Sequence, residues 1–341
     1  MNMRQEFSPK LVIYGIGFVG QELTRLAHAK GWDIVAAYNR AGEKVGQDLG
    51  RLASLDKDLG VTVQDCDTAD YSSLDADVAL IASTDFLEQN FPAYQRFLGR
   101  GINVLCHGGE SYHPRWMNRE VAKKIEALAK KNEVTFTGSG IWDMTRIWSG
   151  IICAGPCVRI DSIEHNSATE IGRQGSQFVT LVGAGMTVEE FDEKLGRKAL
   201  PFSQTLQIPS VAVLQQYGYT VTDVDTRQEP VLWDEPVYCP ELDKELVAGV
   251  SVGLRVLIDV FTQEGVKASS CVEWRVFRED EEELMHWRVN GLPGMEITVK
   301  REDSGVASAS SLFNRIPHVI AAEPGIVELM NLGPEKPSVL L

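Results

Sequence analysis

Positive charge is scarce in this chain. Its 341 residues carry 33 Lys and Arg against 48 Asp and Glu, a formal net charge of −15. Nucleic acids and anionic membranes require a basic face, so neither is an expected partner. Long apolar runs are also missing. The stretch 147–158, closed by Arg146 and Arg159 and interrupted by Gly and Pro, is too brief to span a bilayer. The opening MNMRQEFSPK has no apolar core of the kind a secretory leader needs, which points to a cytoplasmic location. The six cysteines are scattered, and the close pair Cys153 and Cys157 has no second pair or histidine nearby to complete a zinc site. Reduced thiols and no bound metal are expected. Internal repeats and low-complexity segments are absent.

What is present is the composition of a globular protein with room for a core: 44% hydrophobic and 24% charged residues. At roughly 150 residues per domain the length implies two domains. Over the first 145 residues, short β-branched runs at 10–14, 33–38, 61–64, 78–82, 103–106 and 134–137 alternate with helical spacings at 19–30, 88–98 and 116–131. That alternation predicts an α/β domain, a doubly wound parallel sheet of the Rossmann type. From 146 to 305 the pattern changes to longer alternating strands, which predicts an α+β domain with a mainly antiparallel sheet. There, 271–277 and 284–289 alternate in step about the acidic stretch 278–283 and read as a hairpin with a solvated tip at 279–283; Met295, Ile297 and Val299 supply a further strand. Helical spacing returns at 306–322, so that 306–341 is expected to pack back on the first domain.

The most informative local pattern is the apolar run ending at Tyr14, followed by Gly15, Ile16, Gly17, Phe18, Val19 and Gly20 and then a helical segment. A G-x-G-x-x-G between a strand and a helix is a dinucleotide fingerprint. Gly15 permits the turn, Gly17 lets the backbone approach a pyrophosphate, and Gly20 allows close packing, while the helix N-terminus offers free N–H groups. The second strand ends in Asn39 and Arg40, with Lys44 close behind, where an NAD site places a carboxylate for the ribose hydroxyls. A carboxylate repels a 2′-phosphate and an arginine clamps it, so NADP is the expected cofactor and NAD the weaker alternative. Ser83 and Thr84, ending the fourth strand, fall beside the nicotinamide or cap the next helix.

The fifth strand runs into Cys106, His107, two glycines, Glu110, Ser111, Tyr112 and His113. A carboxylate at this strand end is placed to exchange a proton while hydride moves. Glu110 is the candidate, with a cap for the helix that follows as its alternative role. His107 and His113 are rivals for the same task, and His107 is also a candidate cofactor contact.

Several segments together resemble one family. They are the glycine fingerprint, KVGQD at 44–48, ESY at 110–112, GSGI at 138–141, NRIP at 314–317 and the Pro324-Gly325 pair. With these, the chain resembles 2,4-diaminopentanoate dehydrogenases and the native amine dehydrogenases related to them, relatives of dihydrodipicolinate reductase in fold. The resemblance implies reductive amination of a small ketone or aldehyde with ammonia, and the reverse oxidative deamination, with Glu110 handling the amine proton. Two departures stand out. After GSGI the chain continues with Trp142-Asp143-Met144 where relatives carry a polar residue and Pro-Gly. The segment 164–170 lacks the second histidine, the lysine and the Pro-Ser-Gly-Thr with which the reductases grip a dicarboxylate.

A substrate pocket is expected between the domains, with Trp142, Trp148, His165 and Phe178 as candidate walls, although aromatic residues there can equally be core. The alternatives are a reductase of a cyclic imine or dihydrodipicolinate-like compound, and a dinucleotide-binding sensor without catalysis. A homodimer is expected through the second domain's sheet.

Overall fold

The computed structural model describes residues 8–172 and 175–337, so most of the N-terminal stretch read above lies outside the described residues. The chain divides into two compact units. One joins Met1–Met144 to Asp303–Leu341, and the other is Thr145–Glu302.

The first unit is built on a seven-stranded sheet. Its strands are β1 (Leu11–Tyr14), β2 (Ile34–Asn39), β3 (Val63–Asp65), β4 (Val78–Ile81), β5 (Asn103–Cys106), β6 (Thr135–Gly138) and, from the returning tail, β15 (Gly325–Ile326). The order β15-β6-β5-β4-β1-β2-β3 is parallel throughout, the doubly wound arrangement with one strand added by the tail. β1 and β4 are buried along their whole length, which explains why they read as continuous apolar runs rather than alternating ones.

Helices cover both faces. On one face Tyr94, Phe97, Val121, Ile125 and Phe136 pack with Tyr38 and Val104. On the other, Leu23 and Ala27 of the helix Phe18–Lys30 join Leu11, Ile13 and Leu105. Leu312, Phe313 and Ile316 of the returning segment complete that second layer, so the tail is part of this unit's core. Each such large apolar side chain contributes about 1.5–3 kcal/mol when buried. The helix expected over 116–131 begins later, at Arg119, because Asn118 stops the preceding turn and accepts the Val121 N–H at 3.1 Å as its cap. Among the described residues no helix is long and apolar enough to cross a membrane.

The second unit holds the remaining strands: β7 (Arg159–Glu170), β8 (Val221–Leu232), β9 (Val237–Cys239), β10 (Lys244–Leu246), β11 (Ser251–Thr262), β12 (Lys267–Arg275), β13 (Leu284–Leu292) and β14 (Met295–Lys300). β9 and β10 pair with each other, and the other six form a sheet ordered β14-β13-β7-β12-β11-β8. Its neighbours are antiparallel except β12 and β7, which run parallel.

That order corrects the hairpin expected between 271–277 and 284–289. β7 lies between β12 and β13, pairing with both, so the two strands alternate in step because they share a buried face and not because they touch. The hairpin is instead β13 with β14. The acidic stretch is therefore no hairpin tip, and it is solvated only in part: Glu279, Asp280 and Glu282 are exposed, whereas Glu281 and Glu283 are tied in. Glu281 accepts from Arg275 at 2.7 Å and from the Arg278 N–H at 2.9 Å, and Glu283 accepts from Arg301 at 2.7 Å and from the Glu170 N–H at 3.0 Å.

Candidate active site

The fingerprint loop is built as its glycines require. Gly15 turns the chain at a φ of +92°, and a Cβ there would lie 2.3 Å from the Ala82 carbonyl oxygen at the end of β4. A Cβ on Gly20 would lie 2.1 Å from the Gly15 oxygen. Gly17 is different: nothing comes within 4 Å of its missing Cβ. The helix Phe18–Lys30 that follows has no side-chain cap and no acid in its first turn, so the positive end of its dipole faces that space uncompensated. An open cradle, glycine backbone and an unspent helix N-terminus fit a pyrophosphate.

The end of β2 braces this loop. Asn39 Oδ1 accepts the Ile16 N–H at 3.0 Å, its Nδ2 donates to the Arg40 carbonyl at 3.0 Å, and Lys44 Nζ donates to the Ile16 carbonyl. Both ends of the Asn39 amide are thus committed to the backbone. Arg40 is exposed and makes no ion pair among the described residues.

Beside the loop opens a cleft of about 220 Å³ lined by Gly17, Phe18, Val19, Ala82, Ser83, Thr84, Asp85 and His107. It brings together the residues expected at the ends of β1, β4 and β5. Their side chains are partly spent. Thr84 Oγ1 accepts the Phe86 N–H at 3.1 Å, the cap-like alternative, and the Ser83 hydroxyl bonds Asn90. His107 Nε2 lies 2.6 Å from Ser308 Oγ, and desolvation lowers the affinity of the ring for a proton although Asp85 opposes this. His113 is held elsewhere, against Glu328 at 3.1 Å, in a buried pair that ties the tail down.

Glu110 sits on the short turn Gly109–Tyr112 after β5. Three hydrogen bonds fasten it to the β4 loop that forms the cleft wall. Its N–H donates to the Asp85 carbonyl at 2.9 Å, the Gly109 N–H donates to Asp85 Oδ1 at 2.9 Å, and its own Oε2 accepts the Leu87 N–H at 2.7 Å. The carboxylate therefore does cap a helix, but the preceding one, Leu87–Leu98, and it spends one oxygen in doing so. Burial raises the pKa of this half-buried carboxyl, the Leu87 N–H opposes the rise, and Asp85 and Glu88 add to it. A carboxyl that holds its proton more tightly than usual beside a dinucleotide cleft is suited to donate and retake one.

Sequence reasoning missed three residues here. Asp85, one step beyond Ser83-Thr84, both lines the cleft and staples the Glu110 turn. Asp143 and Arg315 form a buried pair, each 0% exposed, in which Arg315 donates to both carboxylate oxygens at 2.7 Å. Their signal was visible as the Arg of NRIP and the Asp of the departure after GSGI, but nothing in the spacing joined positions so far apart.

Of the candidate substrate walls, Trp142 belongs to the first unit and packs on Tyr112 with ring centroids 5.3 Å apart. Trp148, His165 and Phe178 belong to the second. His165 is 0% exposed and stacked on Trp287 at 4.4 Å, a core position in this structure, and burial pushes its pKa far down. Phe178 meets Trp274 edge-on at 5.8 Å.

Comparison with known proteins gives this geometry a lineage. A family model described as the 2,4-diaminopentanoate dehydrogenase C-terminal domain matches residues 150–338. The 2,4-diaminopentanoate dehydrogenase of Acetoanaerobium sticklandii is 24% identical over 95% of this chain and 93% of its own length. Among solved structures, an amine dehydrogenase from Mycobacterium smegmatis superposes with a TM-score of 0.85 and 26% identity, covering 97% of this chain and 98% of that one. Biliverdin reductase from Synechocystis shares the fold alone, with a TM-score of 0.56 and 14% identity over 95% and 94% of the two chains. With more than half of its residues matched by the family model, the chain belongs to the 2,4-diaminopentanoate dehydrogenase family of oxidoreductases.

Proposed function

We propose that the protein is an NADP-dependent amine dehydrogenase that reductively aminates a small ketone or aldehyde with ammonia and runs the reverse deamination. The observation that carries this reading is the Glu110 carboxyl, fastened to the cleft wall and raised in pKa by burial. Bound NADPH supplies the hydride. The chain supplies the rest: Gly15, Ile16, Gly17, Phe18 and Val19 hold the pyrophosphate, and Arg40 meets the 2′-phosphate. In reductive amination Glu110 gives its proton to the hydroxyl of the carbinolamine, which leaves as water. In deamination it takes the proton from the alkylammonium before hydride can depart.

Support for NADP over NAD is the absence of a carboxylate at the end of β2 and the exposed, uncommitted Arg40 in its place. Lys44 stands at the loop through Ile16 and adds charge there. A cytoplasmic homodimer is part of the proposal, and light scattering checks the mass.

The test follows NADPH absorbance with small ketones and aldehydes. Oxidation that requires ammonium, lost about 10²- to 10⁴-fold in Glu110→Gln, is the expected result. Turnover of cyclic imines without ammonium supports the reductase instead, and tight NADPH binding without any turnover supports a sensor. In Arg40→Ala the NADP-over-NAD preference is expected to fall about tenfold or more, the value of one charge-assisted contact. An unchanged preference removes the cofactor assignment.

A further inference from the structure

Ser308, in the helix Ser304–Asn314, joins two elements of the cleft end. Its Oγ accepts the Ile141 N–H at 3.2 Å and lies 2.6 Å from His107 Nε2. The side chain is almost fully buried. A hydroxyl has one proton to give, and among the described residues His107 Nε2 is the acceptor within its reach. Had Nε2 carried the proton, the hydroxyl would accept twice and its own hydrogen would be buried without a partner, at a cost of about 1–3 kcal/mol. The proton of the ring therefore belongs on Nδ1, and protonating Nε2 as well incurs the same cost. Desolvation, which lowers the pKa of the ring against the pull of Asp85, acts in the same direction.

The geometry that sets Ser308 is rigid. Ser308, Ser311 and Arg315 follow at helical spacing along one side, while Ala309, Leu312 and Phe313 beside them enter the core. Arg315 grips Asp143 bidentately and also donates to the Gly333 carbonyl at 2.7 Å, and Ser139 donates to Asp143 at 2.8 Å. The 139–143 loop is thus held at Ile141 by Ser308 and at Asp143 by Arg315. Gly140 lets the ring in: a Cβ there would lie 3.0 Å from His107 Cδ2 and 2.3 Å from the Tyr112 hydroxyl.

We propose that Ser308 is a positioning residue that fixes His107 as the neutral Nδ1–H tautomer, so that the ring offers the cleft a single donor for an uncharged oxygen and moves no proton. An uncharged carbonyl, carboxamide or hydroxyl oxygen of a ligand is the matching acceptor. This leaves proton transfer to Glu110 and rests on the dinucleotide reading of the cleft.

Long-range 15N spectra of the histidine rings in the ligand-free full chain test it, with His107→Gln assigning the signals. Expected is a protonated Nδ1 and a bare Nε2 that persists below the ordinary histidine range. In Ser308→Ala the two tautomers should mix, and Ser308→Thr, which keeps the hydroxyl, should restore the single form. NADPH affinity should weaken up to about tenfold in the alanine variant, with recovery in the threonine variant. A wild-type Nε2–H tautomer, or tautomers unmoved by Ser308→Ala, overturns the assignment. A shift of tautomer without any change in NADPH affinity overturns the donor role. The spectra need no cofactor, so failure of the dinucleotide reading shows separately, as an absence of NADPH binding in every variant.

Discussion

Each unit contains a hollow, and the larger one is the less suited to a ligand. The second unit's hollow measures about 490 Å³, between Asn166, Cys271, Glu273, Arg275, Glu281, Glu282 and Lys300, against about 220 Å³ for the cleft at the glycine loop. In the larger hollow most of the charges, Asp280 apart, have already found each other. Arg275 donates to Glu273 and Glu281 at 2.7 Å each, and Lys300 pairs with Glu282. In the smaller one a helix begins without a cap, and Gly17 leaves its backbone open. Unspent hydrogen-bonding capacity marks a binding site better than volume does.

The sharpest way to break the contrast is to remove a cation from each unit. Asp143 is 0% exposed, so Arg315→Met leaves it charged and buried; a stability loss of about 3–5 kcal/mol is expected in denaturant melts. Lys300→Met removes a cation whose pair is about two-thirds exposed on both sides, and the same melts should move by about 1 kcal/mol or less. Equal losses would mean that burial does not separate the two kinds of ion pair here. Next in size is Gly17→Ala. Its backbone lies at a φ of −82° that alanine adopts freely, and the new methyl meets no protein atom, so the melting temperature should hold. The methyl occupies the phosphate cradle, and NADPH affinity should fall about 10- to 100-fold, as when a charge-assisted hydrogen bond is lost. Unaltered affinity would place the pyrophosphate elsewhere.

The contrast also separates what could be read from the sequence from what could not. The parallel sheet was legible because each buried strand is one apolar run and each crossover helix keeps its own period; the β5 run at 103–106 coincides with the strand. The glycine loop was legible for a similar reason, since one short segment contains all the steric conditions. Two features needed distant pairing. The insertion of β7 between β12 and β13 leaves no trace in the alternation of either strand, because parallel and antiparallel neighbours present the same buried face. Ser308 with His107, and Arg315 with Asp143, are separated in sequence by the whole of the second unit, and a serine in a helix is ordinarily a weak signal. Glu110 was legible as a strand-end carboxylate, whereas its bond to Leu87 depends on the helix before it.

A smaller effect distinguishes carboxyl groups in the two units by sign. Glu335, on the tail, accepts from Ser311 and lies near Asp143; burial first, then Asp143, pushes its pKa up to about 8, against an ordinary value of 4.5. Between those values the folded chain keeps a proton that the unfolded chain has released. The stability it contributes is complete below the ordinary glutamate range and is lost as the pH rises through about 8. Glu273 is the reverse case. Burial raises its pKa, but hydrogen bonds from Arg275 and Arg255 outweigh this and hold it below the ordinary value, so its contribution is present at neutral pH and is lost on acidification. Melting temperatures from pH 5 to 9 should therefore show Glu335→Gln gaining on the wild type by several degrees as the pH rises. Glu273→Gln should trail the wild type by a constant margin across that range and recover only on acidification below it. Parallel curves for Glu335→Gln and the wild type would mean that the tail carboxyl is ionised throughout and that Arg315 serves both acids at once.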